Sequence, residues 1–196
     1  MAEELERSQI VQGVRQWLEQ VVIGLNLCPF VIEPWRKDQL RIRVSDARTE
    51  QELLTDLHAE LALLDRIHPD ILDTSLLVLP YLFPDFEAYN EFLTLADLLL
   101  QEFGWDGDYQ IASFHPSYRF DGTEYGDPEN LTNCSPYPIL HILREHSVSL
   151  ALANYPNPEQ IPERNIQTVQ ALDPAEKQQL FPFLTPRLHD CPPQYP

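Results

Sequence analysis

Cations are scarce in this chain. Only 13 of its 196 residues are Lys or Arg, against 31 Asp or Glu, for a formal net charge of −18. Phosphate backbones are held by clustered Lys and Arg, so the composition argues against nucleic acid and against anionic membrane surfaces. The plain reading of the charge is solubility; the alternative is an acidic face presented to a protein partner, whose identity the sequence leaves unknown. No apolar stretch approaches the ~18 residues needed to span a bilayer. The opening "MAEELERSQ" is acidic and lacks the basic-then-apolar order of a signal peptide, so a cytoplasmic location is expected. Three cysteines at irregular spacing do not make a disulfide framework, and no Cys-x-x-Cys pair offers a zinc or redox site. A phosphate-binding glycine loop and a Gly-x-Ser-x-Gly elbow are also missing.

An apolar fraction of 43% is enough for a core. Ile10, Val14, Trp17, Leu18, Val21 and Leu25 recur at helical spacing, which predicts a helix over 4–25 that has ended by Pro29. "LRIRVS" (40–45) alternates as a strand. Thr49 and Glu52 are spaced as a capping box for a helix over 49–66. "TSLLVLP" (74–80) is a continuous apolar run that suits a strand covered on both faces. A helix over 85–103 and a third strand over 109–114 follow. After a long polar loop come an expected helix near 136–146, a strand-like "SVSLAL" (147–152) and two helices near 157–171 and 173–181.

This alternation predicts an α/β fold: a small, largely parallel or mixed sheet of about four strands with helices on it. A ferredoxin-like α+β arrangement is the alternative. Residues 1–181 are read as one domain and the proline-rich 182–196 as a tail.

In open α/β sheets, ligands bind outside the carboxyl ends of the strands. The third strand stops at His115, because Pro116 holds it extended and removes the next backbone donor. Tyr109, Ile111, Ser113 and His115 share one face by the period of two. His115 is therefore either a candidate acid/base or a residue that hydrogen-bonds its own loop. Residues 116–135 are longer than structureless loops usually are, which points to a wall or lid anchored by Tyr118, Phe120 and Tyr125.

Ser135 and Pro136 suit the cap and first turn of the next helix, whose amides would make an anion site; the alternative is an ordinary capped helix. On that helix Tyr137, His141, Arg144 and Glu145 would share a polar face. His141 and Glu145, four apart, could share a proton or a metal, or the group is simply a solvated face. His146, on the apolar side, is expected to be buried. Cys28 in "GLNLCPF" has two readings. If it closes the first helix its pKa rises; if Pro29 opens a short helix, Cys28 caps it and the pKa falls.

The stretches "GLNLCPF", "SFHPSYRF", "TNCSPYPILHILRE" and "PERNIQT" together resemble a family of soluble, mostly bacterial proteins known only as a conserved domain of unknown function. The resemblance covers about residues 8–172. Its motif residues match at Asn26, Cys28, Pro29, Phe30, Ser113, Phe114, His115, Pro116, Asn133, Ser135, Pro136, Tyr137, Pro138, His141, Arg144, Glu145, Arg164 and Asn165. It implies no activity, cofactor or catalytic role. The family pattern usually has Arg where this chain has Cys134, so Arg144 or Arg164 would have to supply a cation.

The expectation is a site for a small polar or anionic ligand, built from the 113–145 segment and the Cys28 region. In an enzyme His115 would be acid/base, with Cys28 as a nucleophile or a packing residue and His141 and Glu145 orienting the base or relaying a proton. Arg144, Arg164, Ser113, Asn133, Ser135 and Tyr137 would hold the ligand. The alternative is a module without chemistry, binding a metal or haem through Cys28, His115, His141 and Glu145, or a protein through its acidic surface.

Overall fold

A computed structural model describes residues 2–184, and most of the proline-rich tail expected from the sequence lies outside them. The chain opens with α1 (Ala2–Trp17), which widens without a break into a π-helical segment, Leu18–Ile23. The wider turn brings the backbone close at Gly24, where a Cβ would sit 2.3 Å from the carbonyl oxygen of Gln20. Only glycine fits there. Asn26 then takes a left-handed φ of 53°, which Asn tolerates, and turns the chain toward a short α2 (Ile32–Arg36).

The next segments follow the expected βαβ order: β1 (Leu40–Val44), α3 (Glu50–Arg66), β2 (Thr74–Val78), α4 (Phe86–Glu102) and β3 (Tyr109–Phe114). The Thr49 hydroxyl accepts from the Glu52 N–H, as the expected cap requires, while the Glu52 carboxylate reaches one residue further back and accepts from the Arg48 N–H at 2.8 Å rather than from Thr49 itself. Every residue of β2 is buried, as its unbroken apolar run requires.

Residues 136–146 do not form the expected helix. Ile139–Arg144 is instead a strand, β4, lying between β2 and β3 and antiparallel to both, so the sheet order is β1-β2-β4-β3. Three strands run parallel and the last is inserted against them, which is the mixed form of the α/β sheet rather than the ferredoxin-like alternative. Ile139 and His141 face one side while Leu140 and Ile142 face the other, and all four are buried. The same residues fit a helical spacing, but a slot between two strands rewards apolar groups on both faces. Correspondingly, the expected strand 147–152 is a helix, α5 (Glu145–Ala153), and none of its residues is buried. His146 is exposed rather than buried.

Two further helices, α6 (Ile161–Ala171) and α7 (Pro174–Leu180), complete the fold. The helices divide between the faces of the sheet. Leu53, Leu57, Leu61 and Leu64 of α3 and Tyr89 and Phe92 of α4 pack with Leu77 and Leu140. Val14, Leu18 and Val21 of the first helix and Val169 of α6 pack with Leu76, Val78 and Ile139.

Candidate functional site

Tyr109 and Ile111 join the α3/α4 core, as the period of two requires, and His115 points the same way. Its ring lies 5.5 Å from Phe86 and 5.3 Å from Tyr89, centroid to centroid, and only 1% of the residue is exposed. The Ser117 N–H donates to Nδ1 at 3.0 Å, which leaves Nε2 to donate to the Phe83 carbonyl, also at 3.0 Å. Phe83 sits at a left-handed φ of 59°, rare for an aromatic residue, and this bond helps hold it there. The neutral ring thus fastens two loops together.

His141 is on the other face of the sheet. The Thr74 hydroxyl donates to the Ile142 carbonyl at 2.6 Å, so it accepts from His141 Nε2 at 2.8 Å. Burial pushes the His141 pKa down to about 4. Glu145 opens α5 at the far end of β4 from His115, six strand residues or roughly 20 Å away. His115, His141 and Glu145 therefore do not meet. The helical i, i+4 relation expected for His141 and Glu145 fails because β4 is a strand. Among the described residues no cluster of three or more His, Cys, Asp and Glu side chains is arranged to hold a metal.

Arg144 also leaves the expected site. Its guanidinium donates to the carbonyls of Leu64, Ile67 and Leu72 and to the Tyr109 hydroxyl, closing the C-terminal end of α3. Asp73 lies 4.0 Å from Nε. Ser135 caps no helix; its hydroxyl donates to the Tyr137 carbonyl at 2.5 Å. The helix-end anion site expected at Ser135 is absent for that reason.

Cys28 precedes a turn that leads into α2, and the amides of Phe30 and Val31 point at its sulfur. Those amides favour thiolate, but burial outweighs them and the pKa is raised. Cys134 is buried and its thiol is pushed up to about 12. Neither is an activated nucleophile.

Several of the expected residues do converge, at the base of the long loop. The His115 N–H donates to the Asn133 carbonyl at 3.2 Å, and the Asn133 side-chain amide donates to the Ser113 carbonyl at 3.1 Å. The Ser113 hydroxyl and Tyr118 hydroxyl are 3.5 Å apart. Trp17 Nε1 donates to the Cys134 carbonyl at 2.9 Å. The loop is ordered around Asn130, a residue outside the candidate set drawn from the sequence. Asn130 Oδ1 accepts from the Phe120 N–H and the Thr123 hydroxyl, and its Nδ2 donates to the Glu124 carbonyl. Its signal in the sequence is an Asn, a residue that bonds nearby backbone, inside a loop too long to be structureless.

A second joint ties α6 to the turn after the π-helical segment. Arg164 donates to the Tyr155 hydroxyl and to the Asn26 carbonyl. Asn165 Nδ2 donates to the Leu27 carbonyl at 2.5 Å. Between the two joints opens a cleft of about 480 Å³, lined by Phe120, Thr123, Glu129, Thr132 and Asn133 from the loop and Ile161, Pro162, Asn165 and Ile166 from α6. Asn165 is 9% exposed, and its Oδ1 is buried without a hydrogen-bond partner. An orphaned buried acceptor costs about 1–3 kcal/mol, which a bound donor would recover. Among the described residues no Lys or Arg lines this cleft, whose described walls carry one carboxylate, hydroxyls, amides and apolar surface.

The architecture is thus an α/β domain with a mixed four-stranded sheet and a walled cleft beside its long loop. A family model described as "Protein of unknown function (DUF1415)" matches residues 9–179, and the chain belongs to that family. No curated protein and no solved structure matches it. No helix among the described residues is long and apolar enough to cross a membrane.

Proposed function

We propose that this protein binds a small polar molecule, neutral or cationic, in the cleft between the 116–135 loop and α6. The supporting observation is Asn165, which lines the cleft and whose buried Oδ1 has no hydrogen-bond partner. A small rotation of the Asn165 side chain would bring this oxygen to a ligand N–H or O–H and relieve its desolvation. Thr123 and Thr132 offer hydroxyls, Glu129 attracts positive charge, and Phe120, Ile161 and Ile166 cover an apolar body. With no cation among the described residues of the wall and an overall charge of −18, a neutral or cationic ligand is favoured over the anionic one that the sequence suggested. His115 and His141 are engaged in holding the fold, which favours a binding protein over acid/base catalysis by either.

A thermal-shift screen of nucleosides, amino sugars and polyamines, followed by calorimetry on the hits, tests this reading. The Ile161→Trp variant, which fills the cleft, should abolish binding, and Glu129→Gln should weaken cationic hits. The reading fails if no such compound binds and a high-resolution crystal structure shows only an ordered water on Asn165 Oδ1.

A further inference from the structure

A second cavity lies well apart in the chain's logic from the first. Because β1 and β2 run parallel, the segments leaving them, 45–48 and 79–84, emerge at the same end of the sheet. The first turns of α1 pass beside that end, where Arg7 donates to the Val44 carbonyl and to Asp46. The result is a cavity of about 460 Å³ lined by Glu6, Gln9, Ile10, Arg48, Pro80, Tyr81 and Tyr137. Carboxyl ends of parallel strands are the usual place for a ligand in an open α/β sheet.

Charge is arranged in this cavity with unusual economy. The Arg48 guanidinium lies over the Tyr81 ring, 4.6 Å from its centroid. At the rim of the same ring the Tyr81 hydroxyl donates to Glu6 Oε1 at 3.1 Å. One tyrosine therefore touches both an exposed cation and an exposed carboxylate, which form no ion pair with each other. Among the described residues Arg48 forms no ion pair, while its neighbour Asp46 is already taken by Arg7 at 2.5 Å. Ile10, Pro80 and the Tyr137 ring add apolar wall, and the Gln9 amide adds a donor and an acceptor. Burial, with Glu6 adding to it, raises the Tyr137 pKa, so its phenol stays protonated and can donate.

We propose that this cavity is a binding site for a free α-amino acid with an apolar side chain, its carboxylate on Arg48, its ammonium on Glu6 and its side chain against Ile10, Pro80 and Tyr137. A zwitterion satisfies both charges at once. A simple carboxylate would satisfy Arg48 but meet Glu6 and the acidic surface, and a simple amine would leave Arg48 unmatched. Bidentate pairing suits a guanidinium to a carboxylate, and the ring beneath Arg48 holds its plane for that contact.

The test is calorimetric titration of the full chain with L-leucine and L-phenylalanine at millimolar concentration, alongside N-acetyl-leucine and leucinamide. Saturable binding is expected for the free amino acids, with each blocked analogue weakened at least tenfold. Arg48→Gln and Glu6→Gln should each weaken the free amino acids by a similar factor; both side chains are exposed, and an unchanged melting temperature shows that the variants are folded. Ile161→Trp, which fills the other cleft, should leave this binding intact, so the two sites fail or stand separately. Absence of saturable binding by either amino acid overturns the proposal. So does binding that is indifferent to Arg48→Gln and Glu6→Gln.

Discussion

Replacing His115 by Ala should cost stability on a scale that the surrounding contacts define. The change removes both hydrogen bonds of a ring that is 1% exposed, orphaning the Phe83 carbonyl and the Ser117 N–H. Each buried group left without a partner costs about 1–3 kcal/mol, and truncating a large buried side chain adds a cavity term. The two contributions overlap, because water entering the space would satisfy part of the loss. A total of about 3–5 kcal/mol is expected, in line with large aromatic-to-Ala changes. For a chain of this size that is a fall in Tm of roughly 6–20 °C. His115→Gln, which keeps one donor and one acceptor, should recover part of it. Urea unfolding followed by far-UV circular dichroism gives the number. A His115→Ala protein within about 0.5 kcal/mol of wild type would refute the structural role assigned to this residue.

The depressed pKa of His141, about 4 against 6.5 when unfolded, means that the unfolded chain binds the extra proton first. The stabilisation is fully present above pH 6.5 and is lost as pH falls toward 4, by about 3 kcal/mol at most, and urea titrations of wild type and His141→Leu across that range should show the variant with the flatter profile. Tyr89 joins α4 to two strands, donating to the Ile139 carbonyl at 2.7 Å and accepting from the Phe114 N–H at 3.3 Å. Tyr89→Phe should therefore cost about 1–3 kcal/mol in the same assay, and a neutral result would remove the bridge. In a Cys191→Ser background, Cys28 and Cys134 should react with iodoacetamide near pH 8 more slowly than a free cysteine until the protein is unfolded, since burial raises both thiols. Fast labelling of the folded protein at either position would contradict the raised pKa assigned to it.

The elements that could be read from sequence are those whose signals are local. Thr49 and Glu52 announce the start of α3 through a side-chain cap made within four residues. The run at 74–78 announces a central strand because both of its faces are covered. Residues 139–144 defeat the same reasoning, since six apolar-rich residues satisfy a helical and a strand period alike and only their neighbours decide. Once that segment is a strand, the expected polar helix face dissolves. Tyr137 goes to the Arg48 cavity, His141 to Thr74, and Arg144 to carbonyls up to 80 positions away. The importance of the long loop was legible from its length and aromatics, whereas Asn130 and Asn165 owe their parts to partners that no local pattern names.

The position of β4 also orders events during synthesis. β1 and β2 can pair as soon as they leave the ribosome, but β3 has no seat until residues 139–144 arrive to fill the gap beside β2. A nascent chain paused before that point carries an open seam down the middle of its sheet, with Leu77 and Val78 awaiting their cross-strand neighbours. Such late, non-local closure is slow and leaves sticky backbone edges bare, so truncations ending in the long loop should be prone to chaperone capture and aggregation.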